Sequence, residues 1–422
     1  MQQFRSSFLQ SLSERGFISQ ITHPKELDEL MNSVEISAYI GFDCTAKSLH
    51  IGSLMQIMIL RTLQVFGHQP IVLLGGGTTK IGDPSGKDES RQFLDETQIA
   101  QNLIGIKTTL EKFDLSKQGI DCPAFEFVNN DDWLKDLSYI EFLRDVGKHF
   151  SVNKMLTFES VKLRLDRQQP LSFLEFNYMI LQSYDFYELN KNHNCVLQIG
   201  GSDQWGNIVS GVDLTRRISA SNNKKVTEVF GLTTPLLTNA DGKKMGKTAD
   251  GAIWLDEAML NPFDYYQYFR NVDDKDVEKF LRFSTDLTPE SIAEIIKEDI
   301  NLQKEKLARS ATEFCHGYNK GRMAEEQAKN MFSNNIIDIE ALPIKIIYYD
   351  DEIEKKLFEI LKQTDICESS GEAKKLIKGG GIKIDDKKII DENYLVKIDQ
   401  KKPFFKLSVG KKKLFKMQFR SN

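Results

Sequence analysis

The chain is poor in the residues that build covalent or metal frameworks. Its 422 residues include only five cysteines, Cys44, Cys122, Cys195, Cys315 and Cys367, with no C-x-x-C pair and no histidine at metal-ligand spacing. That pattern argues against a structural zinc site and a disulfide scaffold, and an odd number of scattered thiols suits a reducing compartment. Long apolar runs are also missing. The most apolar stretch, residues 51–60, stops at Arg61 and is about half of the roughly 20 residues a membrane helix needs. The first 17 residues mix charged and polar groups, with no apolar core of signal-peptide length, so a cytoplasmic protein without membrane partners is expected. Collagen-like and low-complexity readings fail on composition, since 40% of residues are apolar and 28% charged, as in ordinary globular chains.

Familiar catalytic patterns are absent as well. Gly86-Lys87 is followed by Asp88 rather than serine or threonine, which excludes a Walker-type phosphate loop. No Gly-x-Ser-x-Gly elbow comes with a plausible triad. Of six histidines, His23, His68, His149, His193 and His316 stand alone and read as surface or internally satisfied groups.

What is present begins with alternation. Residues 37–43 (SAYIGFD), 71–74 (IVLL) and 195–199 (CVLQI) are strand-like, the last two running into Gly75-Gly76-Gly77 and Gly200-Gly201. Residues 51–66 are apolar on nearly every face, as in a helix buried against a sheet. This alternation predicts an α/β fold with a Rossmann-like, doubly wound parallel sheet. The text between residues 88 and 194 is mainly helical and charged, and reads as an insertion between two sheet-forming halves. Helical text follows over residues 261–341, with Thr288-Pro289-Glu290 as a helix start. A linker is expected near residues 342–353. The division is therefore a catalytic domain over 1–250, a helical domain over 251–345 and a small α+β module over 346–422. The length fits two to three domains.

The formal charge of −5 argues at first against a nucleic-acid partner, but it is unevenly spread. Residues 351–422 carry 18 basic and 12 acidic residues, a net of +6, leaving −11 for the preceding 350. The final 22 residues hold eight basic groups and no acid, interleaved with Phe404, Phe405, Phe415 and Phe419. RNA contact at that end is thus compatible with an acidic body.

Two short elements point to nucleotide chemistry. His50-Ile51-Gly52-Ser53 opens the buried helix, and a helix N-terminus presents unpaired N–H groups that suit a phosphate. Its bland alternative is a histidine that touches only its own turn. Asp241-Gly242-Lys243-Lys244-Met245-Gly246-Lys247-Thr248 is a polar, lysine-rich loop about 200 residues later. A full positive charge about 4 Å from a phosphate oxygen is worth on the order of 4 kcal/mol at an effective dielectric of 20.

Together these elements resemble the HIGH and KMSKS signatures of class I aminoacyl-tRNA synthetases. The strings AYIGFDCTAKSLHIGS, IGDPSGK, FLRDVGKHFSVNKM, SFLEFNYMILQSYDF, LQIGGSDQWGNI, DLTRR, FGLTTPLLT and DGKKMGKT narrow the resemblance to bacterial-type tyrosyl-tRNA synthetases, in the family's order over residues 38–248. Residues 353–422 resemble the alpha-L RNA-binding module of such enzymes, and the helical middle matches loosely.

The resemblance implies roles for particular residues. Tyr39 and Asp185 would hydrogen-bond the substrate phenol, and a site built for a hydroxyl rejects phenylalanine, the discrimination for which this enzyme family is the standing example. Asp83, Tyr178 and Gln182 would hold the tyrosine ammonium group, and Gln198 its carboxyl. Gly41, Asp43, Gly52, Ser53, Gly201, Asp203, Gln204 and Lys247 would bind ATP and the adenylate. Thr45, His50, Lys244, Lys247 and Thr248 would stabilise the reacting phosphates. ATP is implied as a substrate with Mg2+, with no tightly bound cofactor and no dedicated protein metal site. L-tyrosine, tRNA and a second copy of the chain are the implied partners, the dimer forming around residues 130–165. Ser369, Lys374, Lys375 and Lys378 would contact RNA. Two positions depart from the family. Ser53 replaces the second signature histidine, so a weakened nucleotide contact is expected, and Ser370 stands where the RNA module usually has arginine. A tryptophan-specific relative, a small-molecule nucleotidyltransferase and a non-catalytic RNA-binding paralogue are the competing readings. The first two would not need the Tyr39 and Asp185 pair, and the third would be expected to lose His50 or the loop lysines.

Overall fold

A computed structural model describes residues 4–83, 94–221, 228–238, 247–248, 251–333, 342–349, 354–397, 404–410 and 413–421. It divides into two compact units, residues 1–325 and 326–422.

The first unit is built on a six-stranded sheet. Its strands are β1 (Gln20–Ile21), β2 (Ser37–Asp43), β3 (Gln69–Gly75), β4 (Glu126–Asn129), β5 (Cys195–Gly201) and β6 (Phe230–Thr234), in the order β1-β6-β5-β2-β3-β4. Every neighbouring pair is parallel except β1 with β6. Strands covered by helices on both faces need continuous apolar text, and β3 is buried at every residue after Gln69. Helix α1 (Leu54–Val65) buries nine of its twelve residues, which explains why its sequence shows no polar face. It follows a 3-10 turn, Ile51–Ser53, at the end of the β2 loop.

Helices α2 (Glu96–Glu111) and α3 (Phe173–His193) each begin in a capping box, Asp95 with Gln98 and Ser172 with Glu175. Helix α3 ends on Asn194 at φ 52°, the left-handed conformation that asparagine tolerates and that stops a helix. Helix α4 (Trp205–Ser221) follows β5.

The 88–194 segment is mainly helical in its described part, but it also supplies β4, the sheet edge beside β3. The four residues of β4, Glu126–Asn129, are too few for alternation to stand out in the sequence. Its helices Tyr139–Asp145, Val152–Met155 and Glu159–Asp166 adjoin a small core in which Val146, Met155 and Val161 meet Met179 and Ile180 of α3 and Leu214 of α4.

Beyond the sheet, β7 (Lys247–Thr248) pairs antiparallel with β8 (Gly251–Ala252). Helices α5 (Pro262–Arg270), α6 (Val277–Ser284), α7 (Pro289–Ile295) and α8 (Ile300–His316) follow. The Thr288 hydroxyl caps α7 and Pro289 takes its first position, where the missing N–H costs nothing. Residues 251–325, part of the segment read as a helical domain, lie in the first unit.

The second unit contains β9 (Ile344–Tyr349), β10 (Glu354–Lys356), α9 (Leu357–Gln363), α10 (Ser370–Lys378), β11 (Ile382–Ile384), β12 (Lys387–Ile389), β13 (Leu395–Lys397), β14 (Phe404–Val409) and β15 (Lys413–Ser421). Five strands form one sheet in the order β12-β11-β14-β15-β9, and β10 pairs with β13. Leu357, Ile360, Leu361 and Ile377 of its helices close a core with Leu407 and Met417. The expected linker near 342–353 is displaced, because the run IKIIYY is β9, paired parallel to β15.

Candidate active site

The chain leaves β2 outward through β3 and β4, then returns to β5 on the other flank of β2 and continues to β6. In an open α/β sheet such a reversal opens a crevice at the carboxyl ends of the strands. A cavity of about 280 Å³ lies there. It is lined by Tyr39, Gly41, Asp43, Gly52, Ser53, Asp83, Tyr178, Gln182, Asp185, Gln198, Gly201 and Gln204, all singled out from sequence. Gln56, Thr78 and Asn130, which the sequence reading missed, line it too.

One end is deeply buried. Tyr39 of β2 is 2% exposed and lies opposite Gln198 of β5 in the sheet register. Its Oη has no hydrogen-bond partner among the described residues, and neither has Gln198 Oε1. Asp185 of α3 is 1% exposed and is held by both oxygens. Asn130 Nδ2 donates to Oδ2 at 3.0 Å and Trp133 Nε1 donates to Oδ1 at 2.9 Å. Burial pushes the Asp185 carboxyl up to about 7, against the downward pull of those two donors. Burial, and next the Asp185 charge, hold the Tyr39 phenol well above its usual 10.

Asn130 joins this carboxylate to the glycine turn. Its Oδ1 accepts from the Gly77 N–H at 2.8 Å, and its Nδ2 also donates to Thr78 Oγ1 at 3.0 Å. The Thr78 hydroxyl in turn donates to Asp43 Oδ1 at 3.0 Å, and the Tyr178 hydroxyl lies 3.3 Å from both Asp43 oxygens. A Cβ on Gly75 would come within 2.6 Å of Asp43 Oδ1 and Thr78 Oγ1, so this turn requires glycine. The signal that could have found Asn130 and Trp133 was only Asn129-Asn130-Asp131-Asp132, a common turn composition.

A second chain of amides crosses the opening. Asn207 Nδ2 donates to Gln182 Oε1 at 2.8 Å and to Gln204 Oε1 at 3.2 Å, while Gln204 Nε2 donates to Asp83 Oδ2 at 2.9 Å. Asn207 on α4 was not anticipated. It lies below the surface, 4% exposed, and ties α3 to the β5 turn.

The other end is made of turns. His50 Nδ1 accepts the Gly52 N–H at 3.0 Å, which places the ring proton on Nε2. The bland reading of this histidine is thus part of its geometry, and it leaves a neutral donor. Backbone bonds Ile51 N to Ile253 O and Leu255 N to Leu49 O, both 2.9 Å, flank an antiparallel bridge between His50 and Trp254. These residues follow the β7–β8 hairpin directly, so the two signatures, about 200 residues apart in sequence, are tied together by backbone. Lys244 lies outside the described residues, and only the backbone of Lys247 and Thr248 in β7 is described. Thr45 is exposed in the loop after β2, its N–H bonded to Asp43 O, and Asp203 lies in the 3-10 turn Ser202–Gln204 after β5. Among the described residues no group of three or more His, Cys, Asp and Glu could hold a metal ion.

In the second unit, Ser369 caps α10 by accepting the Glu372 N–H. Lys375 and Lys378 are exposed, whereas Lys374 lies over the Phe358 ring at 4.4 Å. No helix among the described residues is long and apolar enough to cross a membrane.

Comparison with known proteins agrees with this layout. A family model described as tRNA synthetases class I (W and Y) matches residues 31–339, and an S4 domain model matches residues 355–401. The tyrosine-tRNA ligase of Wolbachia pipientis subsp. Culex pipiens (strain wPip) is 52% identical over 424 residues, covering 98% of each chain. That of Pelagibacter ubique (strain HTCC1062) is 51% identical over 416 residues, covering 98% of this chain and 99% of its own. Among solved structures, a C-terminally truncated mitochondrial tyrosyl-tRNA synthetase of Aspergillus nidulans superposes with a TM-score of 0.68 at 30% identity, covering 78% of this chain and 95% of its own. Matches of this length, running across the segment that builds the crevice, make the chain a member of the class I tRNA synthetases of the W and Y type.

Proposed function

We propose that the chain is a tyrosine-tRNA ligase, activating L-tyrosine with ATP to tyrosyl adenylate and then transferring tyrosine to the 3' end of its tRNA. The observation that carries the substrate choice is the buried pair at the closed end of the crevice. Tyr39 Oη lacks a partner among the described residues and Asp185 is an acceptor. A phenol hydroxyl can satisfy both at once, since it accepts from Tyr39 and donates to Asp185. An indole N–H can only donate, and a phenyl ring can do neither.

In this reading Asp83, Tyr178 and Gln182 hold the ammonium group and Gln198 the carboxyl. The tyrosine carboxylate is already ionised at neutral pH, so no general base is required. One of its oxygens forms a bond to the ATP α-phosphorus as the bond to the bridging oxygen breaks, and pyrophosphate leaves. Catalysis rests on alignment and on donors that meet the growing charge. Thr45, His50, Lys244, Lys247 and Thr248 serve as those donors, while Gly41, Asp43, Gly52, Ser53, Gly201, Asp203 and Gln204 place the nucleoside. Mg2+ enters as part of the substrate, on the phosphate oxygens. In the second step a ribose hydroxyl of the terminal adenosine attacks the activated carbonyl and AMP leaves.

The S4 segment supplies the RNA contact through Ser369, Lys374, Lys375 and Lys378. The insertion supplies a homodimer face, on which Tyr139, Ile140, Val152 and Phe173 are each more than half exposed. Sedimentation of the intact protein should give twice the chain mass, and a monomer at micromolar concentration would remove the dimer.

Tyrosine-dependent exchange of labelled pyrophosphate into ATP tests the activity directly. Exchange is expected with tyrosine and not with tryptophan or phenylalanine. Its absence, with ATP shown to be bound, would refute the ligase reading.

A further inference from the structure

One buried ion pair of the first unit does not line the crevice. Arg164, 2% exposed on the helix Glu159–Asp166, donates through Nη2 to Oε1 of Glu175, 6% exposed, at 2.6 Å. Arg164 Nε and Nη1 are buried and have no hydrogen-bond partner among the described residues. Two charges held out of water with donors left over gain little stability over a well-packed apolar pair, so the pair is better explained by the geometry it enforces.

That geometry is a brace across the turn into α3. The Arg164 carbonyl accepts the Gln169 N–H at 2.9 Å and the Leu165 carbonyl accepts the Gln168 N–H at 3.0 Å. Gln168 stands at φ 54°, so the first helix ends in a Schellman turn. Three residues after Gln169, Ser172 caps α3, and Glu175 Oε2 accepts from the Ser172 N–H at 3.0 Å and from its hydroxyl at 2.9 Å. The backbone of Arg164 therefore fixes where the turn begins, and its guanidinium grips the residue that fixes where α3 begins. Val161, one turn before Arg164, shares a core with Met179 and Ile180 of α3.

Glu175, Tyr178, Gln182 and Asp185 recur at intervals of three, four and three residues, which puts them on one face of α3. Glu175 is thus the first turn of the stripe that continues into the crevice, with Tyr178 one turn beyond it and Gln182 two.

We propose that Arg164 is a positioning residue for tyrosine recognition. Through Glu175 it sets the rotation and depth of the first turns of α3, and so the placing of Tyr178 and Gln182 around the substrate ammonium group. Asp185, about three turns from the brace and held by Asn130 and Trp133, does not depend on it. The inference rests on the crevice being the tyrosine site of the proposed ligase.

The test uses the full-length protein, with equilibrium dialysis of labelled tyrosine and labelled ATP, competition by desaminotyrosine, which lacks the ammonium group, and thermal unfolding. Arg164→Met keeps an extended side chain and removes the donor. Tyrosine should bind about tenfold more weakly, the size of one hydrogen bond, while ATP and desaminotyrosine stay within about twofold. The variant leaves Glu175 buried without its partner, so its Tm should fall. Adding Glu175→Gln removes that charge and keeps the capping box, because glutamine serves at this position as well. In the double variant Tm should recover and the tyrosine loss should remain. Unchanged tyrosine affinity, an equal loss of desaminotyrosine or of ATP, recovery of tyrosine affinity together with Tm, or a changed sedimentation mass would each overturn the proposal. Where Arg164→Met alone does not fold, the double variant carries the same test. An unmodified protein that binds ATP but shows no tyrosine-dependent exchange would refute the ligase reading, whereas normal exchange with an indifferent Arg164→Met would refute the brace alone.

Discussion

The two ends of the crevice are built differently. At the closed end the polar groups are fixed before any ligand arrives, with Asp185 held by Asn130 and Trp133. These side chains stand on α3 and the segment after β4, and Tyr39 and Asp185 are nearly inaccessible to solvent. At the open end His50 is held by an N–H of its own turn, Ser53 makes no cap bond, and Gln56 has one long contact. Selecting one amino acid against its dehydroxylated or indole analogues requires a rigid, dry geometry, because an unmet hydrogen bond is costly only where water cannot replace it. Phosphate groups carry their own charge and hydration, so groups on turns and helix starts suffice to meet them.

The largest test of this contrast is Asp185→Asn. It removes a charged acceptor from a buried site and should lower kcat/KM for tyrosine by about a thousandfold in pyrophosphate exchange, with KM for ATP nearly unchanged. If the KM values for tyrosine and ATP rose together, the ends would not be separable. His50→Ala should show the converse, a kcat about a hundredfold lower with tyrosine affinity retained, measured by exchange and by dialysis. Asn130→Ala sharpens the comparison further, because it removes one of the two donors to Asp185 along with the bonds to Gly77 and Thr78. Tyrosine affinity should fall about tenfold, and loss of a donor to the carboxylate should move its protonation to higher pH.

The smallest effect is pH itself. The Asp185 carboxyl lies at about 7 in the ligand-free protein, and the phenol donates best to the ionised form. Tyrosine affinity should therefore be full above pH 8 and decline as pH falls through about 7, by no more than about tenfold per unit. ATP affinity in the absence of tyrosine should vary less across the same range. A flat tyrosine profile between pH 6 and 8 would mean that Asp185 is ionised throughout, with its two donors outweighing burial.

Strands β2, β3 and β5 could be read in advance, since buried strands and a buried helix advertise themselves as continuous apolar runs, two of these strands running into glycines. Strand β4 could not, because four residues carry no usable period. Strand β9 lies where a linker is expected, after a helical stretch and before a change in charge, although its IKIIYY text is strand-like. Among site residues, Tyr39, Tyr178, Gln182, Asp185 and Gln198 were legible because they belong to family strings. Asn130, Trp133, Thr78 and Asn207 were not, since each acts by orienting another side chain and lies in text that also suits a turn or an ordinary helix. Gln56 was hidden for a different reason: an amide on a helix face is common, and only the fold shows that its buried oxygen has no hydrogen-bond partner among the described residues.

The amino-acid sequence by itself determined the alternation of strands and helices in the sheet half, the family resemblance of the two signatures and the basic character of the final 72 residues, because these depend on local composition and spacing. Only the tertiary structure decided that the 253–255 segment hydrogen-bonds beside His50, that Asn130 and Trp133 clamp Asp185 from 52 to 55 residues away, and that two glutamine oxygens in the crevice, of Gln56 and Gln198, are left without a donor among the described residues. Hydrogen-bond satisfaction is a property of atoms brought together by the fold, and no pattern along the chain records it.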